Sequence, residues 1–146
     1  MGRLVRIGND GKEVRRSPIN TVRARTLAFA NGKFFAVAGE NRGNGAIRII
    51  EINPISLEMT KQCDFDIHDS SLLWVNAGDL YAVTINLEDK SCYLGRFNSS
   101  LALQAKSQIK IHSSATVVVQ QGRLFSQRED GSVLILDPAA LTELQQ

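Results

Sequence analysis

Residues 50–62 read "IEINPISLEMTKQ". An apolar, β-branched run ends at Asn53-Pro54 and a second run starts a few residues on, so the stretch reads as strand, tight turn, strand. The chain says nearly the same thing twice more, as "GRFNSSLALQAKS" (95–107) and "LILDPAALTEL" (134–144). Asn53, Asn98 and Asp137 lead these turns, and Leu57, Leu101 and Leu141 follow within four residues. Such fixed recurrence marks a repeat architecture.

A second set of landmarks has the same period. "LAFANGKFFAVAG", "LLWVNAGDLYAVT" and "TVVVQQGRLFSQR" align on Gly32, Gly78 and Gly122, spaced 46 and 44 residues apart. Phe35, Tyr81 and Phe125 stand three residues beyond each glycine. The N-terminal "RLVRIGNDGKEVRRS" joins the series by laying Asn9 on Asn53. Each unit reads as four short strands, in the first unit residues 26–31, 33–39, 46–52 and 58–67. Asn31-Gly32 suits a two-residue hairpin, because asparagine and glycine tolerate its positive φ angles. Only the tail "DPAALTELQQ" carries a spacing that could close in a helical turn.

Four strands in about 44 residues is the pattern of a β-propeller blade. The expectation is an all-β, propeller-like domain of about three and a half blades: a remnant at 3–19 and blades at 26–67, 71–111 and 115–146. The remnant supplies only a blade's last two strands. Closed rings have about four to eight blades, and exposed edges invite pairing. The count therefore points to a C-terminal part of a longer protein, or to two chains completing one ring.

Composition narrows the function classes. The chain of 146 residues is 43% hydrophobic with a formal net charge of +2, too little to suggest a nucleic-acid partner, and no apolar run approaches a membrane span. Charge is uneven: residues 1–25 hold seven Lys and Arg against two Asp and Glu, the remainder ten against thirteen. Arg15, Arg16, Arg23 and Arg25 in this basic segment are candidate contacts for an acidic partner, against the plainer reading of a solvated strand face. Cys63 and Cys92 have neither metal nor redox spacing and read as two semi-buried thiols, a disulfide being the alternative in an oxidising compartment.

Few residues suggest chemistry. His68 and His112 recur in "IHDSS" and "IHSSA", but neighbours on an extended chain point to opposite faces, so His68, Asp69 and Ser70 read as a turn rather than a triad. Asp64 with Asp66, and Glu88 with Asp89, read as solvated carboxylates. "NRGNGA" (41–46) reads as a long hairpin turn. Trp74, matched to Phe29 and Val118, reads as packing between blades, with a binding platform as the minority reading. Asn31, Asn76 and Gln120, taken as equivalent positions closing the inner strands, are the remaining candidate contacts. No cofactor or metal is expected.

The strings "RSPI", "GNGAIRIIEINPISLEM", "SLLWVN" and "LGRFN" resemble the C-terminal portion of the spirochaetal eighty-three/one-hundred-kilodalton antigen family. That resemblance implies an exported, periplasmic or outer-envelope protein with a coiled-coil region upstream and no established activity. It carries over no functional residue. The leading expectation is thus a non-catalytic binding or assembly module for a protein or cell-envelope partner, or for self-association as a homodimer. The rivals are a hydrolase or quinoprotein-like enzyme on the same scaffold, and a purely structural dimerisation domain.

Overall fold

The computed structural model describes residues 1–145, apart from the side chains of Ala24 and Arg25. Within them lie thirteen strands and no helix: β1 (Val5–Ile7), β2 (Glu13–Arg16), β3 (Val22–Ala30), β4 (Lys33–Gly39), β5 (Ile47–Ile52), β6 (Met59–Gln62), β7 (Trp74–Asn76), β8 (Asp79–Ile85), β9 (Cys92–Phe97), β10 (Leu103–Lys106), β11 (Val118–Gln120), β12 (Arg123–Gln127) and β13 (Val133–Leu136). They form four antiparallel meanders in chain order: β1-β2, β3-β4-β5-β6, β7-β8-β9-β10 and β11-β12-β13. The last gains a rudimentary fourth member where Leu136 bridges Glu143. The chain is all-β and propeller-like, with sheets that do not close on themselves.

Two kinds of turn set this topology. Strands one and two of each full sheet meet in a two-residue hairpin, closed by the pairs Ala30↔Lys33, Asn76↔Asp79 and Gln120↔Arg123. Both central residues have positive φ: Asn31-Gly32 at 49° and 75°, Ala77-Gly78 at 49° and 81°, Gln121-Gly122 at 50° and 72°. This twist matches that of the flanking strands. The Asx turn after strand three is the second device. Asn53 Oδ1 accepts from the amides of Ile55 and Ser56, Asn98 Oδ1 from Ser100 and Ala102, and Asp137 Oδ2 from Ala139 and Ala140.

Each Asx turn ends in a leucine at positive φ: Leu57 at 58°, Leu101 at 64°, Leu141 at 57°. A left-handed leucine costs about 1–2 kcal/mol. All three side chains are buried, and burying a leucine returns about 1.5–3 kcal/mol. Burial outweighs strain, which is why this place holds leucine rather than glycine. Asp137 gathers 137–141 into an Asx turn like its two counterparts, and the Leu141 amide donates to Asp137 O to close a single helical turn that no helix continues among the described residues. Asn9 does not lead the N-terminal turn: the Gly8 amide donates to Lys12 O, and the Gly11 amide to Gly8 O. Gly8 therefore holds the place of Asn98.

The sheets stack face on face. Phe35, Val37, Ile47 and Ile49 of the second sheet pack against Leu80, Ala82 and Phe97 of the third. The third sheet's other face, with Tyr81, Val83 and Leu94, packs on Leu124, Leu134 and Leu136 of the last. Ala36, Ala38, Ile50 and Ile52 face back toward Leu4 and Ile19. Linkers stitch neighbours together: Ile67 bridges Thr84 and Ile111 bridges Arg128, each crossing into the following sheet. The β1-β2 hairpin takes third and fourth strand positions, because Ser17 N→Leu4 O repeats as Cys63 N→Ile49 O and Ser107 N→Leu94 O.

Candidate functional site

The N-terminal arginines engage separate partners. Arg15 Nε donates to Ser56 O at 3.0 Å. Arg16 pairs with Glu13 at 2.6 Å, and its hydrogen bond holds the Glu13 carboxyl below its ordinary pKa. Arg23 Nε donates to Gly39 O at 2.6 Å, with Asp69 at 4.0 Å. Arg25 falls outside the described side chains.

The histidines cap turns. His68 Nδ1 accepts from the Ser70 amide at 3.2 Å, and His112 Nδ1 from the Ser114 amide at 3.1 Å. His68 N donates to Val83 O and His112 N to Gln127 O, so both junctions fasten one sheet to the next identically. Asp66 pairs with Arg48 at 3.3 Å. Cys63 and Cys92 are free and buried, and burial pushes both thiols above their usual pKa.

Strand register revises two sequence alignments. Trp74 pairs with Tyr81, Val118 with Phe125 and Ala28 with Phe35. The counterpart of Trp74 in the first full sheet is therefore Ala28, not Phe29. Asn31 likewise lies inside its hairpin turn, opposite Ala77 and Gln121 in the other repeats, whereas Asn76 and Gln120 are the last residues of their strands. An apolar run tolerates a shift of one by eye, but in a strand that shift moves a side chain to the opposite face. Trp74 is half-buried against the cluster beneath the last two sheets. Asn31 Nδ2 reaches Gly78 O at 3.4 Å, bridging two hairpins. Gln120 is exposed.

What the arrangement leaves unspent is apolar surface on its first and last faces. On the last sheet, Val118, Phe125 and Val133 share one face, since Val118 pairs with Phe125 and Gln127 with Val133. Their counterparts in earlier sheets are Ala28 and Trp74, then Phe35 and Tyr81, then Ile49 and Leu94. Phe35, Tyr81, Ile49 and Leu94 are no more than 2% exposed, whereas Val118 is 55% and Val133 56% exposed.

The opposite face of the β3-β6 sheet behaves the same way. Leu27 is 51% exposed, while its counterparts Leu73 and Val117 are 8% exposed beneath the preceding sheet. Phe29 is exposed and stacks at 5.0 Å on half-buried Phe34, whose counterparts Leu80 and Leu124 are fully buried. A groove of about 260 Å³, lined by Leu4, Val5, Leu27, Phe34, Ile52 and Pro54 among others, separates this face from β1. On β1 itself, Val5 and Ile7 are exposed where Ile50 and Ile52 are buried. Phe29 and Val118 enter the sequence reading only as matches to Trp74, and the other positions are not among its candidates. The signal that finds them is the repeat alignment combined with asking which units have a neighbour on each side.

The family model described as Borrelia P83/100 protein matches residues 2–116. No curated protein sequence matches the chain. Among solved structures, BamB from Moraxella catarrhalis is similar at 13% identity and a TM-score of 0.58, over 99% of this chain and 48% of that one. The likeness is one of fold, and the chain spans about half the length of that propeller.

Proposed function

The chain belongs to the Borrelia P83/100 protein family, and from that premise we propose that it is a non-catalytic binding and assembly module of the cell envelope or periplasm. It presents the apolar faces at the two ends of its row of sheets to a protein partner. The observation that carries this reading is the contrast between equivalent positions, Val133 at 56% exposure against Ile49 and Leu94 at 0%. Contiguous apolar surface of this kind marks interaction sites. The residues that resembled chemistry are spent on structure: both histidines cap turns, and Asp66 neutralises Arg48. Among the described residues no helix is long and apolar enough to cross a membrane.

The test is retention from a detergent extract of Borrelia envelopes on immobilised chain, compared with the double variant Val118→Glu/Val133→Glu. The reading expects a discrete set of proteins held by the wild type and lost by the variant. Retention indifferent to the variant, or turnover of chromogenic ester substrates by the purified chain, contradicts it.

A further inference from the structure

The two open faces have opposite senses. Inside the chain, each joint between sheets sets the Phe35/Tyr81 type of face on the Leu80/Leu124 type of face. The last sheet offers an unpartnered example of the first type, with Val118, Phe125 and Val133. The β3-β6 sheet offers a partly unpartnered example of the second, with Leu27, Phe29 and Phe34. Val118 and Phe125 lie on first and second strands, as do Leu27, Phe29 and Phe34, whereas β1-β2 already holds the third and fourth strand places over the β3-β6 sheet. The joint that would unite them therefore repeats the inner half of one built twice within this molecule.

The same chain carries both halves, but at opposite ends of its row of sheets, where one copy cannot bring them together. We propose that the occupant of each face is a second copy: Val118 and Phe125 of one chain stack on Leu27 and Phe29 of the other, and two such contacts close one two-chain ring. This rests on the assembly reading above and names its partner. Size agrees, since one copy covers 48% of a propeller of similar fold and two supply nearly a whole one. A contact between unlike faces closes when its rotation completes a circle, and otherwise grows into filaments. A chain that spans about half of such a propeller is expected to close at two. The β1-β2 hairpin then lies at the outer rim of each joint, with Val5 and Ile7 toward Val133.

The experiment uses the 146-residue chain, with mass followed by light scattering from low to high concentration. The wild type is expected to rise from one chain mass to two and stop there. Phe29→Glu breaks one face and Val118→Glu the other, so each variant alone stays at one chain mass. Mixed together they regain a two-chain species, because the intact last sheet of the first meets the intact first face of the second. A wild type that stays monomeric, or that grows past two, overturns the proposal. So does a mixture of the variants that stays monomeric, or one variant dimerising alone, which marks contact between like faces. Should either glutamate variant lose the wild-type circular dichroism spectrum, Leu27→Gln and Val133→Gln put the same question at milder cost. A monomeric chain that still retains envelope proteins through Val118 and Val133 sinks this inference and leaves the broader reading standing. Loss of both sinks both.

Discussion

Cys63 and Ser107 hold the same place in successive repeats, and they do the same work. The Ile49 amide donates to Cys63 Sγ, which turns toward Phe65 O; the Leu94 amide donates to Ser107 Oγ, which donates to Ile109 O. Serine therefore suits position 63, whereas alanine strands a buried amide at a cost of about 1–3 kcal/mol. Urea unfolding is expected to rank wild type and Cys63→Ser close together, with Cys63→Ala clearly below. The thiol adds a pH dependence. Its folded pKa is raised by burial, so its contribution is complete below the ordinary thiol range and is lost as pH rises through the folded value. Cys92 and Tyr81 are raised likewise. The wild type should lose urea resistance on the alkaline side, and Cys63→Ser should lose less; equal slopes would contradict this. At Ala77, exposed with φ of 49°, asparagine fits the left-handed turn better. Ala77→Asn is expected to raise the unfolding midpoint, gaining up to about 1 kcal/mol.

The Asx turns are the element on which each sheet depends. Asn98→Ala removes the acceptor of two amides and is expected to cost about 1–2 kcal/mol by chemical denaturation. Leu101→Gly relieves the left-handed strain but vacates a side chain 4% exposed. It should therefore destabilise, since cavity formation at a buried leucine costs about 3–5 kcal/mol against about 1–2 kcal/mol of relieved strain. A stabilised glycine variant would show that the leucines are not core residues. These elements are the part of the fold most legible in the sequence, because Asn-Gly, Asn-Pro and Asp-Pro act through local backbone preferences. Register was less legible. Aligned by eye, Asn31 and Phe29 each fall one residue off their true counterparts, since only the ladder of pairs Ala30↔Lys33, Asn76↔Asp79 and Gln120↔Arg123 fixes which face a residue takes.

For the whole molecule, the stack is a row in which internal sheets are covered on both sides and the outermost ones are not. A sequence repeat cannot reveal this. Val133 belongs to the same residue class as Ile49 and Leu94, and only the presence or absence of a following sheet makes it exposed. The candidate arginines were illegible for the opposite reason. A basic segment shows in composition, but Arg15, Arg16 and Arg23 turn to Ser56, Glu13 and Gly39, partners that the sequence does not indicate. If two chains assemble as proposed, both outer faces become covered. Amide hydrogen exchange compared between dilute and concentrated wild-type chain reads that cover at both faces at once. Protection should rise together in residues 26–30 and 117–127, with the 86–91 loop unchanged. Exchange indifferent to concentration, or protection of one segment without the other, would contradict the account.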